Sequence, residues 1–193
     1  MKAILRPALS LFVALSVLTG IAYPLVVTGI SKAAFPSQAA GSLLVRDGKT
    51  VGSSLIGQPF SDPGHFWSRP SATAPQPYNA AASGGANLGP TNPALVDAVK
   101  ARIEALRAAD PGNTTPVPAD LVTSSASGLD PHISPEAAHY QVARVARVRG
   151  LSPDKVQALI AAHTEPAFGG FFGQARVNVL ELNLALDGPL QKQ

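Results

Sequence analysis

Residues 127–139, SGLDPHISPEAAH, bring together side chains that can bind a metal ion. The potential ligands fall within ten positions of one another and are Asp130, His132, Glu136 and His139. Mixed carboxylate and imidazole ligands suit several divalent metals. On a helix that begins at Pro135, Glu136 and His139 share a face because they lie three positions apart. Asp130 and His132 would reach the same ion from the preceding loop, so one interpretation is a metal-dependent enzyme.

Each of these residues also has a simpler role in folding. Glu136 suits the first turn of a helix, where the helix dipole favours negative charge. Asp130 precedes Pro131 in a turn, and His139 can face solvent. The chain has neither a His-Glu-x-x-His zinc pattern nor a Gly-x-Ser-x-Gly elbow, and it has no cysteine. The pattern favours a role in folding for these four residues, and the metal-dependent enzyme is the alternative.

The N-terminal part of the chain contains a long apolar run, which determines where the candidate residues are placed. No charged residue occurs between Arg6 and Lys32, and residues 8–30 supply 23 predominantly apolar positions. At about 1.5 Å per residue such a helix crosses a hydrocarbon core of roughly 30 Å. We predict a transmembrane helix over about 8–30, bent at Pro24, which lacks a backbone donor. The enzyme alternative is therefore a membrane-anchored one.

A cleaved signal peptide is the competing interpretation of this run, with Ser37-Gln38-Ala39 as a loose cleavage site. The run is much longer than the apolar region of a signal peptide, which favours a retained anchor. Lys2 and Arg6 precede the run, whereas Lys32 is the only basic residue after it until Arg46. The positive-inside rule then places 1–31 as cytoplasmic N-terminus and membrane anchor, and 32–193 outside the cytoplasm.

The charge balance argues against nucleic acid as a partner. The chain has 15 Lys and Arg against 12 Asp and Glu, and without Lys2 and Arg6 the basic residues number 13. The part beyond the membrane is thus close to neutral and has no broad basic surface. An exported domain would also not meet DNA, so Arg144, Arg147 and Arg149 are not assigned to phosphate contacts.

The rest of the sequence predicts one α+β domain. Asp47-Gly48 is a favoured hairpin turn between apolar runs. Asn92, Ser134 and Ser152 each precede a proline, the pattern of a capped helix start. Leucines alternate with other residues from 180 to 186, the period of a half-buried strand. The predicted elements are a β-hairpin at 43–55, an ordered irregular stretch at 58–92, helices at 93–109, 135–149 and 153–163, and a C-terminal strand at 176–186.

Several segments, taken in order, carry a resemblance to a known family. They are Tyr23-Pro24 near the end of the apolar run, SSLIGQPF (53–60), FWSRPS (66–71), GGANLGPTNP (84–93), PADLVTSSASGLDPHISPEAA (118–138) and RVNVLELN (176–183). The chain resembles the C subunit of the Kdp-type potassium-transporting ATPase. The likeness covers nearly the whole length, and six matching segments in the same order are a specific signal.

The resemblance implies a non-enzymatic accessory subunit that assembles and stabilises a pump. Its partners would be a channel-like A subunit, a P-type ATPase B subunit and a small F subunit, and these would carry ATP, Mg²⁺ and K⁺. The family is also described as a catalytic chaperone that raises the affinity of the B subunit for ATP. If this chain touched ATP directly, Gly128, His132 and Gln141 would be the candidate contacts. A domain outside the cytoplasm would instead act through the membrane helices.

Overall fold

The computed structural model describes residues 2–188. The chain divides into two compact units, Met1–Leu43 and Leu44–Gln193. Residue 1 of the predicted 1–31 segment and residues 189–193 of the predicted 32–193 domain lie outside the described part. The helices are α1 Lys2–Val17, α2 Tyr23–Ala34, α3 Pro36–Ala39, α4 Pro93–Ala109, α5 Pro135–Tyr140, α6 Val142–Arg149, α7 Pro153–Ala162 and α8 Val179–Leu186. The strands are β1 Leu43–Arg46, β2 Lys49–Ser53, β3 His132–Ile133, β4 Thr164–Glu165 and β5 Arg176–Asn178.

The first unit contains a long apolar helix. Residues Ile4–Ala34 form a helix of 31 residues that is long and apolar enough to cross a membrane. Within it, α1 and α2 are joined by a π-helical turn at Leu18–Ala22. This wider turn comes directly before Pro24, where the missing backbone N–H interrupts the regular hydrogen-bond ladder. The predicted apolar helix is confirmed, and its irregularity lies at the predicted place.

A β-hairpin follows, as predicted. Strands β1 and β2 form a two-stranded sheet. The two residues between them, Asp47 and Gly48, have φ of 51° and 75°. Positive φ at both central residues defines the type I′ turn, whose twist matches that of the paired strands. The Asp-Gly signal therefore gave the correct turn.

Residues 54–92 are ordered without regular secondary structure, apart from a 3-10 turn at Ala80–Ala82. This confirms the prediction of an ordered irregular stretch at 58–92. Phe66 within it is completely buried and belongs to the hydrophobic core. The stretch is thus an integral part of the fold, and its backbone polar groups need partners other than a helix or a sheet.

The predicted helix starts are confirmed by their caps. Helix α4 has the predicted bounds, and Ala94 N donates to the Asn92 side chain at 2.9 Å. The Ser134 hydroxyl accepts from Ala137 N at 3.0 Å at the start of α5. The helix predicted at 135–149 is divided at Gln141 into α5 and α6. The helix predicted at 153–163 ends one residue earlier, as α7.

The predicted C-terminal strand at 176–186 is wrong beyond residue 178. Only β5 is a strand there, and α8 follows it directly. Asn178 caps this helix, since its side chain accepts from Glu181 N at 3.2 Å. Helix α8 is buried on most sides, so it lacks the polar stripe that reveals a surface helix. Alternating leucines cannot distinguish such a helix from a strand.

A small antiparallel sheet has the strand order β3-β5-β4. Its register pairs His132 with Asn178 and Thr164 with Val177. Helix α5 contacts β5, and α7 contacts both α5 and α8. The shared core includes Phe66, Ile133, Val145, Val156, Ile160, Val177 and Leu182, each at most 2% exposed. The α+β class is confirmed, with five helices instead of about three in the described part of the second unit.

Candidate functional site

The four residues of the potential metal cluster do not converge. Asp130 and His132 contact each other, whereas Glu136 and His139 are exposed on α5. Glu136 and His139 both line a groove of about 690 Å³, together with Asp110, Asn113, Tyr140 and Arg147. Among residues 2–188, no group of three or more His, Cys, Asp or Glu side chains is arranged to hold a metal ion. The geometry gives no support to the metal-dependent enzyme.

Asp130 is engaged with its own loop. One carboxylate oxygen accepts from His132 N at 3.0 Å and lies 3.2 Å from the His132 ring Nδ1. The other oxygen accepts from Arg69 Nη1 at 3.1 Å. Burial would raise the pKa of Asp130, but the His132 hydrogen bonds and the Arg69 charge outweigh it, so this pKa is lowered. Asp130 therefore closes a turn and joins it to the 58–92 stretch.

The candidate ATP contacts lie in three different environments. Gly128 is buried at φ +68°, donates to Ser125 Oγ at 3.0 Å and accepts from Ser71 Oγ at 2.7 Å. His132 is at the edge strand β3. Gln141 is 1% exposed between α5 and α6. In the described structure, these residues serve folding contacts, and their predicted contact with ATP stays a prediction.

Gln141 instead supports the backbone of Trp67. Trp67 N donates to Gln141 Oε1 at 2.7 Å, and Gln141 Nε2 donates back to Trp67 O at 3.2 Å. The amide imitates the paired hydrogen bonds of a neighbouring strand. Asn183 on α8 does the same for Phe66, accepting from its N at 2.8 Å and donating to its O at 2.9 Å. Two consecutive residues without secondary structure are thus fully paired by side chains.

Two arginines donate hydrogen bonds to the backbone of the residues just before Phe66. Arg144 Nη1 donates to the carbonyl of Pro63 and, at 2.9 Å, to that of His65. Arg149 Nε donates to Gly64 O at 2.6 Å. All carbonyls from residue 63 to 67 therefore accept a hydrogen bond from a side chain of α6, α8 or the α5–α6 junction. We call residues 63–67 the clasped segment.

Arg144 is the central donor of the clasped segment. It is only 2% exposed, and its guanidinium carbon lies 4.9 Å from the centre of the Trp67 ring. Burial is the main cause that lowers the pKa of Arg144 to about 10, and Asp110 opposes this shift. The Arg144 Nη2 group also donates to Gln141 Oε1 at 2.6 Å. The arginine is still charged at neutral pH, and carbonyl oxygens satisfy its donors.

Asp187 joins four parts of the second unit. Its carboxylate accepts from Arg149 Nη2 at 2.6 Å and lies 3.1 Å from His65 Nε2. Arg46 of the hairpin donates to the Asp187 carbonyl at 2.6 Å. The pKa of Asp187 is lowered because hydrogen bonds from Arg149 and His65 outweigh the opposing effect of burial. Hairpin, clasped segment, α6 and the end of α8 meet at this residue.

The loop before β3 is fixed to the irregular stretch through backbone contacts. Gly57 N donates to Leu129 O at 2.9 Å, and Gly84 N donates to Ser127 O at 2.9 Å. A Cβ added to Gly85 would lie 2.9 Å from Ala126 O, so the two chain segments touch closely there. The five segments of the second unit that carried the family resemblance thus hold each other in place. They form a preorganised surface of irregular loops.

Sequence reasoning missed most of these partners. Arg144, Asn183 and Asp187 were not predicted to have functional or structural roles, because their partners lie 79, 117 and 122 positions away. Asp110 follows the last residue of α4, yet it is buried and its carboxylate lies 2.8 Å from Arg147 Nη1. A local signal existed for one further residue: Asn178 with Glu181 three positions later is a capping pattern.

Together, the fold and the site define a small α+β protein with one candidate membrane helix, whose buried polar side chains serve its own loops. The family model described as "KdpC: K+-transporting ATPase, c chain" matches residues 5–188. The chain belongs to this family. The resemblance stated from the motifs is therefore confirmed.

Individual relatives match nearly the whole chain. The protein from Variovorax paradoxus (strain S110) named "Potassium-transporting ATPase KdpC subunit" is 73% identical over 187 residues, which cover 97% of each chain. Proteins with the same name from Polaromonas naphthalenivorans (strain CJ2) and Sorangium cellulosum (strain So ce56) are 72% and 63% identical, covering 97% of this chain and 95% and 99% of theirs. The chain is accordingly a non-catalytic subunit of a potassium-transporting ATPase.

Proposed function

We propose that this chain assembles and stabilises the potassium pump to which its family belongs. Its partners are the channel-like A subunit, the P-type ATPase B subunit and the small F subunit, which bind the K⁺, ATP and Mg²⁺. The observation that carries the proposal is the family match over residues 5–188, which includes both the apolar helix and the α+β unit.

The clasped segment supports an assembly role. Binding a partner is favoured when the binding surface is already ordered, because less conformational entropy is lost on association. In this chain the irregular loops 58–92 and 118–134 are held by hydrogen bonds with the side chains of Gln141, Asn183 and Ser71. We propose that these loops form the docking surface for the other subunits.

The proposed topology is a single-pass inner-membrane protein. The apolar helix spans the bilayer over about residues 8–30 with its N-terminus in the cytoplasm, and residues 32–193 lie outside. The supporting observations are the length of the helix and the basic residues before it. A reporter that is active only outside the cytoplasm, fused after Gln193, should be active. An inactive reporter, together with an active cytoplasmic one at the same site, would reverse the orientation.

We also propose that the chain raises the affinity of the B subunit for ATP through contacts between membrane helices. An external domain cannot reach cytoplasmic ATP, so the coupling must cross the bilayer. Direct contact through Gly128, His132 or Gln141 is the alternative. The buried position of Gln141 and its bonds to Trp67 and Arg144 favour the indirect route.

Co-purification tests the assembly role. The full-length chain, expressed with the A, B and F subunits, should be recovered with them in detergent. A chain without residues 1–31, exported by a cleavable signal, should associate more weakly and should no longer change the ATP affinity of the complex. Failure of the full-length, folded chain to associate would overturn the proposal, whereas full ATP coupling by the truncated chain would overturn only the indirect route.

A further inference from the structure

A short loop between β4 and β5 exposes three phenylalanines. Phe168, Phe171 and Phe172 are 82%, 75% and 61% exposed. Among the other described residues of the second unit, the only large apolar side chain above 60% exposed is Leu55, at 63%. Apolar residues exposed singly are ordinary, whereas a group of three at one loop indicates an interaction site. We call residues 166–175 the phenylalanine loop.

The backbone of the phenylalanine loop forms hydrogen bonds within the loop itself. Phe168 and Phe172 form an isolated antiparallel bridge, with Phe168 N donating to Phe172 O at 2.9 Å and Phe172 N donating to Phe168 O at 3.0 Å. Gly170 N donates to Ala167 O at 2.9 Å. The Phe171 and Phe172 ring centres are 4.3 Å apart. Leaving water is costly for unpaired backbone groups, and these bonds reduce that cost.

The charge pattern fits an apolar environment. Residues 166–175, PAFGGFFGQA, contain no charged side chain. The charged residues that flank the loop, Glu165 and Arg176, form an ion pair with Nη2 to Oε2 at 2.8 Å. Immersing the tip therefore removes no charge from water. A loop that docked on a polar protein surface would gain little from this composition.

The chain length brings a membrane within reach. Residues 35–43 connect the apolar helix to the second unit. Nine residues extend at most about 30 Å, so the second unit is tethered by a short linker to the membrane in which the helix is anchored. Phenylalanine is among the apolar side chains that interfacial segments bury at the boundary between headgroups and acyl chains.

We propose that the phenylalanine loop inserts into the interface of the same bilayer and acts as a second attachment point for the domain. The inference rests on the membrane anchor in the proposed function. It requires neither the proposed orientation nor the other subunits. Shallow insertion would fix one edge of the β3-β5-β4 sheet to the membrane, because the loop joins two strands of that sheet.

Tryptophan fluorescence in proteoliposomes tests this proposal. Phe171→Trp, Phe12→Trp in the apolar helix and Val148→Trp on α6 are prepared in the full-length chain, and the wild-type signal of Trp67 is subtracted. Val148 is 49% exposed and is the matched control outside the loop. We expect brominated lipids to quench the Phe171→Trp variant about twofold or more, because interfacial side chains lie about 5–10 Å below the headgroup surface. The added fluorescence of the Val148→Trp variant should be unaffected.

The outcomes separate the inference from its premise. Strong quenching of the Phe12→Trp variant without quenching of the Phe171→Trp variant overturns the inference and leaves the anchor intact. No quenching of the Phe12→Trp variant overturns the anchor itself. Protection of the indole at position 171 from iodide only after the other subunits are added would overturn the inference, because the loop would then dock on protein. Circular dichroism of each variant confirms that the exposed substitutions leave the fold unchanged.

Discussion

Asn183 on α8 pairs with both backbone polar groups of Phe66, a residue 117 positions earlier in the chain. The pair is buried, with Asn183 at 1% and Phe66 at 0% exposure. A backbone group that cannot reach water must find a partner inside the protein. The irregular stretch can therefore enter the core only where a side-chain amide is correctly placed, and this links the C-terminal helix to the middle of the chain.

Replacing Asn183 with alanine should destabilise the chain by about 2–6 kcal/mol. The change leaves the Phe66 N–H and C=O groups buried and unpaired, at about 1–3 kcal/mol each. Asn183→Asp should cost at least as much, because it sets a carboxylate oxygen against the Phe66 carbonyl. Urea unfolding of the full chain in detergent, followed by the fluorescence of the single tryptophan, Trp67, measures both. Gln174→Ala, at an exposed loop position, should change stability by less than about 0.5 kcal/mol.

Arg144→Lys should destabilise the chain by about 2–4 kcal/mol even though the charge is kept, since each hydrogen bond to a charged group contributes about 1.5–3 kcal/mol. A lysine ammonium lacks the planar fork that reaches Pro63 O, His65 O and Gln141 Oε1 together. Near-ultraviolet circular dichroism should also change, because the guanidinium packs over Trp67. Arg107→Lys on the exposed side of α4 is the matched control, and an equal loss there would contradict the prediction.

The elements that could be predicted are those with local causes. The hairpin follows from Asp47-Gly48, and the helix starts follow from capping residues that act within three positions. The Asp130–His132 contact is equally local. These features depend only on the chemistry of neighbouring residues, so they can be predicted from one sequence without knowledge of distant contacts.

The parts that could not be predicted depend on distant contacts. Helix α8 is surrounded by the core, so its sequence lacks a polar face and gave the period of a strand. The helix break at Gln141 places its amide against Trp67, 74 positions away. The geometry does not support the metal hypothesis for the same reason, because spacing within one segment does not show which of its side chains another segment engages. Arg69, from the irregular stretch, binds Asp130.

Gly128→Ala should destabilise the chain by about 2–5 kcal/mol, because the left-handed conformation costs about 1–2 kcal/mol and overpacking about 1–3 kcal/mol. Its φ of +68° disfavours any Cβ, and an added Cβ would lie 2.6 Å from Thr73 Cγ2 and 2.8 Å from Gly84 O. Gly84→Ala is the control, because its Cβ would meet nothing within 4 Å. Equal stability of the two variants by thermal unfolding would refute the assigned contacts.

The same pair of variants tests whether Gly128 acts in ATP coupling. If Gly128 has only a folding role, Gly128→Ala should lower the yield of complexes that contain this chain and leave the ATP affinity of those complexes unchanged. Nucleotide binding is measured on complexes purified through this subunit, so that pumps lacking it are removed. A specific loss of ATP affinity in fully assembled complexes would instead support direct contact.

The folded chain should become less stable in acid because the Asp187 carboxylate is protonated there. The pKa of this carboxyl is lowered in the folded chain, so the folded state binds protons more weakly than the unfolded state does. Its contribution is therefore complete above the unfolded pKa of about 3.9 and is lost as the pH falls through the lower folded value. Asp187→Asn should be less stable than wild type at about pH 5, and the difference should shrink towards about pH 2. Asp97→Asn, on the exposed face of α4, should follow the wild-type curve. The test is the urea midpoint of each variant measured across this pH range. A stability difference between wild type and Asp187→Asn that stays constant with pH would contradict the prediction. It would mean that the contacts of Arg149 and His65 do not depend on the carboxylate charge.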